Sequence, residues 1–308
     1  MQQEHSICDF SSSNSWVLLS PIEQSIKRKI EAAGTPLKDW DINIYRGVLT
    51  GYNDAFIIST EKRDEILASC QTEEERQRTA ELIRPILRGR DIKRYEYGWA
   101  GLWIINTHNG LKDKRIKPIN INDYPAIKEW LDNGGIAYSG KIYKGLPQIE
   151  KRSDQGDTPY NLRNCAYMED FSKPKIVWKI IGNQMAFAYD TNNYVMNNAC
   201  YIMTGSHLDY LLAILNSRAI TWYSYVTNMN KTGVGDVQVG GQNIVTFPIP
   251  IYDANKIELV ELAELANSIT NRNIALPFVD SKIECLVSIV YGFTSEERNF
   301  LHSFTSSL

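Results

Sequence analysis

A single proline, Pro85, constrains this chain most, because it interrupts what would otherwise be one long, cation-bearing helix. Thr72 followed three positions later by Glu75 has capping-box spacing, so a helix is expected to open near Glu73. Ala80, Ile83, Ile86 and Leu87 recur at helical spacing and would give that helix a buried face. Pro85 has no N–H to donate and disfavours helical geometry at Arg84, which predicts a kink or a restart there. Gly89 is the natural stop. After it, Lys93, Tyr95, Tyr97 and Trp99 alternate with Ile92, Arg94 and Glu96, the period of a strand. Between Arg84 and Tyr95, five cations face one anion, Asp91. They form either a solvated charged turn or a cluster of guanidinium groups delivered to an aromatic-studded strand.

Charge is distributed unevenly along the chain. The net charge is −3, yet Arg84–Lys117 holds nine cations and three anions, and Ile251–Leu308 holds four cations and eight anions. One basic face with an acidic region pointing elsewhere is the simplest arrangement, and it keeps a polyanionic partner in play. With 308 residues, a full core and one large or two unequal domains are expected. No apolar run approaches the ~20 residues of a membrane span. The opening Met1-Gln-Gln-Glu-His lacks the pattern of a secretory signal. Cys8, Cys70, Cys165, Cys200 and Cys285 are odd in number and never spaced Cys-x-x-Cys, which suits reduced thiols in the cytoplasm. His5, His108, His207 and His302 show no metal-binding spacing.

Ser20-Pro21 should open a helix reaching about Ala33, and Trp40–Tyr45 alternates as a half-buried strand. Short strands are expected at Phe56-Ile-Ile and Trp103-Ile-Ile-Asn, and a short helix at Tyr124–Leu131. Residues 136–160 carry no clear period and read as a long surface excursion. Lys173–Ile181 is a strand in which Lys175 and Lys179 flank an apolar centre, and Met185–Tyr189 and Cys200–Met203 follow it. Leu208–Ser217 is helical, continuing through Trp222 and Tyr225. Lys231–Asn243 is glycine-rich but matches neither phosphate-loop pattern. Three helices should follow Ile257, the last capped by Thr294 and Glu297.

No catalytic constellation can be assembled by spacing. A Gly-x-Ser-x-Gly elbow is missing, and no Cys and His form a recognisable signature. Asp154, Asp157 and Glu169-Asp170 do not supply the carboxylate and Glu-x-Lys spacing of a metal-dependent nuclease. Binding chemistry is plentiful: Arg and Lys for phosphates and guanine edges, and Asn161, Asn230 and Gln242 for adenine edges.

Thr50-Gly-Tyr-Asn-Asp-Ala-Phe, the run from Glu81 to Tyr95, Arg152-Ser-Asp-Gln-Gly-Asp, Tyr160-Asn-Leu-Arg and Lys173-Pro-Lys-Ile-Val-Trp together resemble the TaqI-like C-terminal specificity domain. That domain is the target-recognition part of adenine-N6 DNA methyltransferases and of type IIG restriction-modification enzymes. The later order is similar to the specificity subunits of type I systems: a Tyr210–Ser217 helix, a glycine loop, then Phe247-Pro-Ile-Pro. Val290-Tyr-Gly-Phe-Thr-Ser-Glu-Glu resembles the helical tail of the same family.

The resemblance implies an α+β fold with mixed and antiparallel sheets and flanking helices. A DNA target-recognition domain would span residues 1–250 and a helical support 251–308. It further implies a grip on double-stranded DNA while a separate methyltransferase domain flips an adenine and methylates it with S-adenosylmethionine. The methyltransferase Asn/Asp-Pro-Pro-Tyr/Phe signature and the cofactor glycine motif are absent from these residues, so this chain is expected to be a C-terminal fragment without cofactor or catalysis of its own. Arg88, Arg90, Lys93 and Arg94 are the expected phosphate contacts. Arg163, Lys173, Lys175, Lys231 and Gln242 are the expected DNA-facing loop residues. The alternatives are a standalone metal-dependent nuclease using Asp154, Asp157 and Glu169, and a protein- or glycan-binding module whose aromatic side chains line a groove.

Overall fold

The computed structural model describes residues 19–182, 184–227, 230–231 and 237–308. The apolar run from Trp16 to Leu18 and residues 232–236 of the glycine-rich loop lie outside them.

In chain order the elements that matter are α1 (Pro21–Ala33), β1 (Ile42–Arg46), β2 (Ile57–Ser59), α2 (Thr60–Ser69), α3 (Glu73–Leu82), β3 (Ile83–Leu87) and β4 (Leu102–Ile105). Next come α4 (Pro125–Asn133), β5 (Gly135–Ile136), β6 (Ile142–Tyr143), β7 (Lys175–Lys179), β8 (Ile181–Gly182), β9 (Phe187–Asp190), β10 (Val195–Met196) and β11 (Cys200–Gly205). The chain continues with α5 (Leu208–Leu215), α6 (Arg218–Val226), β12 (Asn230–Lys231), β13 (Val237–Gln238), α7 (Ile257–Thr270), α8 (Leu276–Tyr291) and α9 (Ser295–Ser306).

The antiparallel sheet ordered β9–β7–β11–β1 is the partition of the molecule. Strand periodicity sends Ile176, Trp178, Phe187 and Met203 to one face, where they join α5 through α9 in a single apolar cluster. Val177, Ala188, Cys200 and Ile202 point the other way, into a second cluster roofed by the sheet β10–β3–β4–β2. The C-terminal helices have no core of their own: Leu259, Leu262, Ile283 and Leu301 share the first cluster with Trp178 and Trp222. The fold is the expected α+β arrangement of small mixed and antiparallel sheets with a helical tail.

Caps fall where the sequence puts them. Thr72 Oγ accepts the Glu75 N–H at 3.1 Å and opens α3 at Glu73. Thr294 and Glu297 bond reciprocally at the head of α9. The helix does not reach Gly89, however. It stops at Leu82, and Ile83–Leu87 is the strand β3. Ile83–Pro85 pairs with β4 on one side and Ile86–Leu87 with β10 on the other, so Pro85 stands where the strand changes partner and its missing N–H costs little. The strand expected from Lys93 to Trp99 is a tight hairpin, Ile92–Lys93 against Glu96–Tyr97, turned by Tyr95 at φ 65.

Candidate nucleic-acid interface

The shared motifs form a buried scaffold. Arg152 is only 6% exposed, and its guanidinium donates to the carbonyls of Thr50, Asp154, Pro159 and Asn161 while lying 4.4 Å over the Phe56 ring. Among the described residues no carboxylate bonds it, and burial pulls its pKa down to about 10. This one side chain ties the Thr50–Phe56 stretch to the segment after it. Asn161, also buried, donates to Ile119 O at 2.9 Å and His108 O at 3.4 Å, closing the neck of the basic 108–119 loop. Asn109 braces the neighbouring loop by donating to Asp157 at 3.0 Å and Asn164 at 2.6 Å.

The expected contact residues separate into distinct fates. Lys175 has no exposed side-chain surface; its ammonium bonds Asp190 at 2.5 Å and Phe171 O at 2.7 Å. It is a structural cation, and a phosphate cannot reach it. Arg94 is turned inward to Asp280 at 2.6 Å, Glu284 at 3.2 Å and Asn216 O at 3.0 Å. Arg88 holds Asp91 through two parallel hydrogen bonds of 3.0 and 2.8 Å. Each of these two has its charge met internally. Lys93 stays exposed with Glu96 at 3.4 Å, Arg163 is exposed beside Asp154 at 3.1 Å, and Lys173 pairs with Asp170 at 2.7 Å. Arg90 and Gln242 are exposed. Lys231 is placed only as backbone, in β12 against β13.

The basic Arg84–Lys117 region does not form one face. Antiparallel pairing of Ile83 with Ile105 puts the end of β4, and the Lys112–Lys117 loop beyond it, at the start of β3; Arg88 and Arg90 follow the other end. Lys173 likewise sits beyond one end of β7 and Lys179 at the other, roughly 20 Å away at strand rise.

A different set of cations lies at the Lys179 end of the central sheet, with Lys179 on the Val177 face and Arg46 on the Trp178 face. Lys179 pairs in register with Cys200, and Tyr201 with Arg46. A side-chain carbon on Gly89 would stand 3.2 Å from Lys179 Cβ, which places the Arg90 turn there as well. Arg46 bonds the Asn198 carbonyl at 2.9 Å. Among the described residues, Arg46, Arg90 and Lys179 have no carboxylate within ion-pair distance. The pair β12–β13, which flanks the glycine-rich stretch, hydrogen-bonds through β13 to β8, just after Lys179. Sequence reasoning missed Arg46 and undervalued Lys179. The separation of Lys175 and Lys179 was the available signal, because four residues of extended chain put them at opposite ends of β7.

The carboxylates of the nuclease alternative are dispersed: Asp154 meets Arg163, Asp157 meets Asn109, and Glu169 meets Lys114. Among the described residues no group of three or more His, Cys, Asp or Glu side chains is arranged to hold a metal ion.

This architecture is similar to that of the type IIL restriction-modification enzyme MmeI, solved in complex with DNA. The TM-score is 0.53 at 12% identity, covering 87% of this chain and 36% of that one. The type IIG restriction endonuclease BpuSI gives a TM-score of 0.46 at 12% identity over 90% of this chain and 33% of that one. The chain therefore spans about a third of the length of these enzymes. The TaqI-like C-terminal specificity domain matches residues 84–249, more than half of the chain. That span runs from β3 through the central sheet to the end of the glycine-rich segment, and by it the chain belongs to the TaqI-like C-terminal specificity domain family.

Proposed function

We propose that this chain is the DNA-recognition part of a longer restriction-modification enzyme, and that it holds duplex DNA with the end of the central sheet bearing Arg46, Arg90 and Lys179. The observation that carries the reading is the company these cations keep. Three positive side chains without carboxylate partners surround the strands that flank a glycine-rich segment. Arg88, Arg94 and Lys175 are by contrast neutralised internally. Unneutralised cations lower their energy by binding phosphates and releasing condensed counterions. Lys93, Arg163, Lys231 and Gln242 remain proposed contacts of the same surface or its loops.

On this reading the adenine chemistry, with its S-adenosylmethionine, belongs to a methyltransferase domain outside these residues. This chain supplies position and sequence choice. Family membership and the DNA in the MmeI structure support it. Fluorescence anisotropy with a pool of random-sequence duplexes tests it. The association constant should fall linearly with salt on logarithmic axes. No binding at low salt, or binding indifferent to salt, counts against it.

A further inference from the structure

The long excursion after α4 contains a hairpin that presents apolar surface where none is needed for folding. Ile136 in β5 and Ile142 in β6 are directly opposite each other, so their side chains share a face, and they are 75% and 71% exposed. Single exposed isoleucines are ordinary; two in register on one braced ribbon form a patch. The base is fixed. A side-chain carbon on Gly134 would stand 2.1 Å from Tyr143 O, and one on Gly145 1.9 Å from Asp132 O, at φ 73 and 78. Between them Tyr143 is buried and donates to Leu131 O at 2.7 Å, and its ring packs on Trp130 and Tyr52.

The surroundings select the partner. From Gly134 to Ile149 there is no carboxylate, while Lys141 and Lys144 are exposed with no ion pair among the described residues. Burial and the charge of Asp54 raise the pKa of Tyr138 at the tip, and Arg88 and Arg90 lie close enough to oppose that rise, so the hairpin borders the Arg90 turn. The acids around the hairpin are Asp54, whose charge bears on Tyr138, and Glu61 and Glu65 of α2 across the cleft, the last bonded to Lys62. An apolar protein surface would cover the isoleucine pair but would leave the flanking lysines unmatched. A polyanion with apolar groups in a groove matches both.

The B-form major groove admits a two-stranded ribbon and displays one apolar group, the thymine C5-methyl. We propose that the Gly134–Gly145 hairpin enters the major groove and that Ile136 and Ile142 read thymine through its methyl, with Lys141 and Lys144 on the flanking phosphates. This deepens the DNA-recognition reading and rests on it.

The test uses the whole chain and two random-sequence duplex pools identical except that one carries deoxyuridine for every thymidine. The unaltered chain should bind the thymine pool more tightly, by about fourfold for each methyl buried. The Ile136→Ser/Ile142→Ser variant should lose that preference and keep the salt dependence of the unaltered chain. Its substitutions lie in solvent, and an unchanged melting temperature confirms the fold. Lys141→Gln/Lys144→Gln should keep the preference and bind with a shallower salt dependence. If the unaltered chain binds both pools equally, or the serine variant still prefers thymine, the hairpin proposal is overturned while DNA binding stands. If the unaltered chain binds neither pool at low salt, both readings fall. If the serine variant instead converts a dimer to a monomer without altering the pool preference, the patch is a self-association surface and the proposal is likewise overturned.

Discussion

Arg94 and Asp280 meet at 2.6 Å although 186 residues of chain separate them. The pair fastens the hairpin after β3 to α8, and Arg218 reaches the same carboxylate at 3.0 Å from the start of α6. Glu284 completes the cluster by accepting from Arg94 and from the Arg218 backbone N–H at 3.1 Å. An arginine that sequence suggests for DNA instead joins the helical tail to the hairpin after β3. Arg94→Ala should lower unfolding free energy by about 1–3 kcal/mol, less than a fully buried pair because the site is partly wet. Urea denaturation measures this, and the salt dependence of DNA binding should be unchanged.

Glu284 gives the tail a pH signature. Burial pushes its carboxyl up to about 7, against the lowering pull of Arg94 and Arg218. The folded state therefore holds a proton that the unfolded chain, with an ordinary glutamate, has released. Glu284's contribution should decline as pH rises from about 4.5 to 7 and be level above that, by at most about 1.4 kcal/mol per pH unit. Glu284→Gln should remove that decline from a melting-temperature profile. A profile identical to that of the unaltered chain contradicts the assignment.

Lys175 and Asp190 make the opposite kind of pair, wholly enclosed. Asp190 also accepts from Tyr97 Oη at 3.1 Å and from the backbone N–H groups of Asn192 and Tyr194 at 2.9 and 3.1 Å. Lys175→Met leaves that carboxylate unpaired and should cost about 3–5 kcal/mol. Adding Asp190→Asn should restore part of the loss. Denaturant midpoints of the single and double variants decide it, and a neutral Lys175→Met contradicts the burial.

Asn161 holds the neck of a loop whose tip is cationic. Asn161→Ala strands the Ile119 carbonyl, whereas His108 O still accepts the Ile119 N–H at 3.0 Å, and should cost about 1–3 kcal/mol locally. Trypsin should then cut within Lys112–Lys117 markedly faster under native conditions, with a smaller change in global stability. Equal cleavage rates in the two proteins contradict the bracing role.

Local chemistry was legible in the sequence; partnership across the fold was not. Ser20, Thr72 and Thr294 declare their helices because each cap is made with a glutamate three residues on. The chain around Pro85 was misread because Ile83, Ile86 and Leu87 suit a helix face and a buried strand equally, and only the neighbours β4 and β10 decide. Charge was harder still. Arg88 and Arg90 are two positions apart, yet Asp91 takes the first and leaves the second exposed. Nothing near Arg94 announces Asp280. Family motifs mark the frame, as Arg152 and Asn161 show. The surface cations Arg46 and Lys179 emerge only once the strand register is known.

The central claim is that DNA lies against the Arg46, Arg90 and Lys179 end of the sheet, and the salt dependence of duplex binding tests it most directly. Arg90→Ala/Lys179→Ala should reduce the slope of log K against log salt by about 2, and Lys112→Ala/Lys117→Ala at the opposite end should leave it unchanged. The reverse pattern, with the slope moved only by the Lys112 and Lys117 changes, would contradict the account.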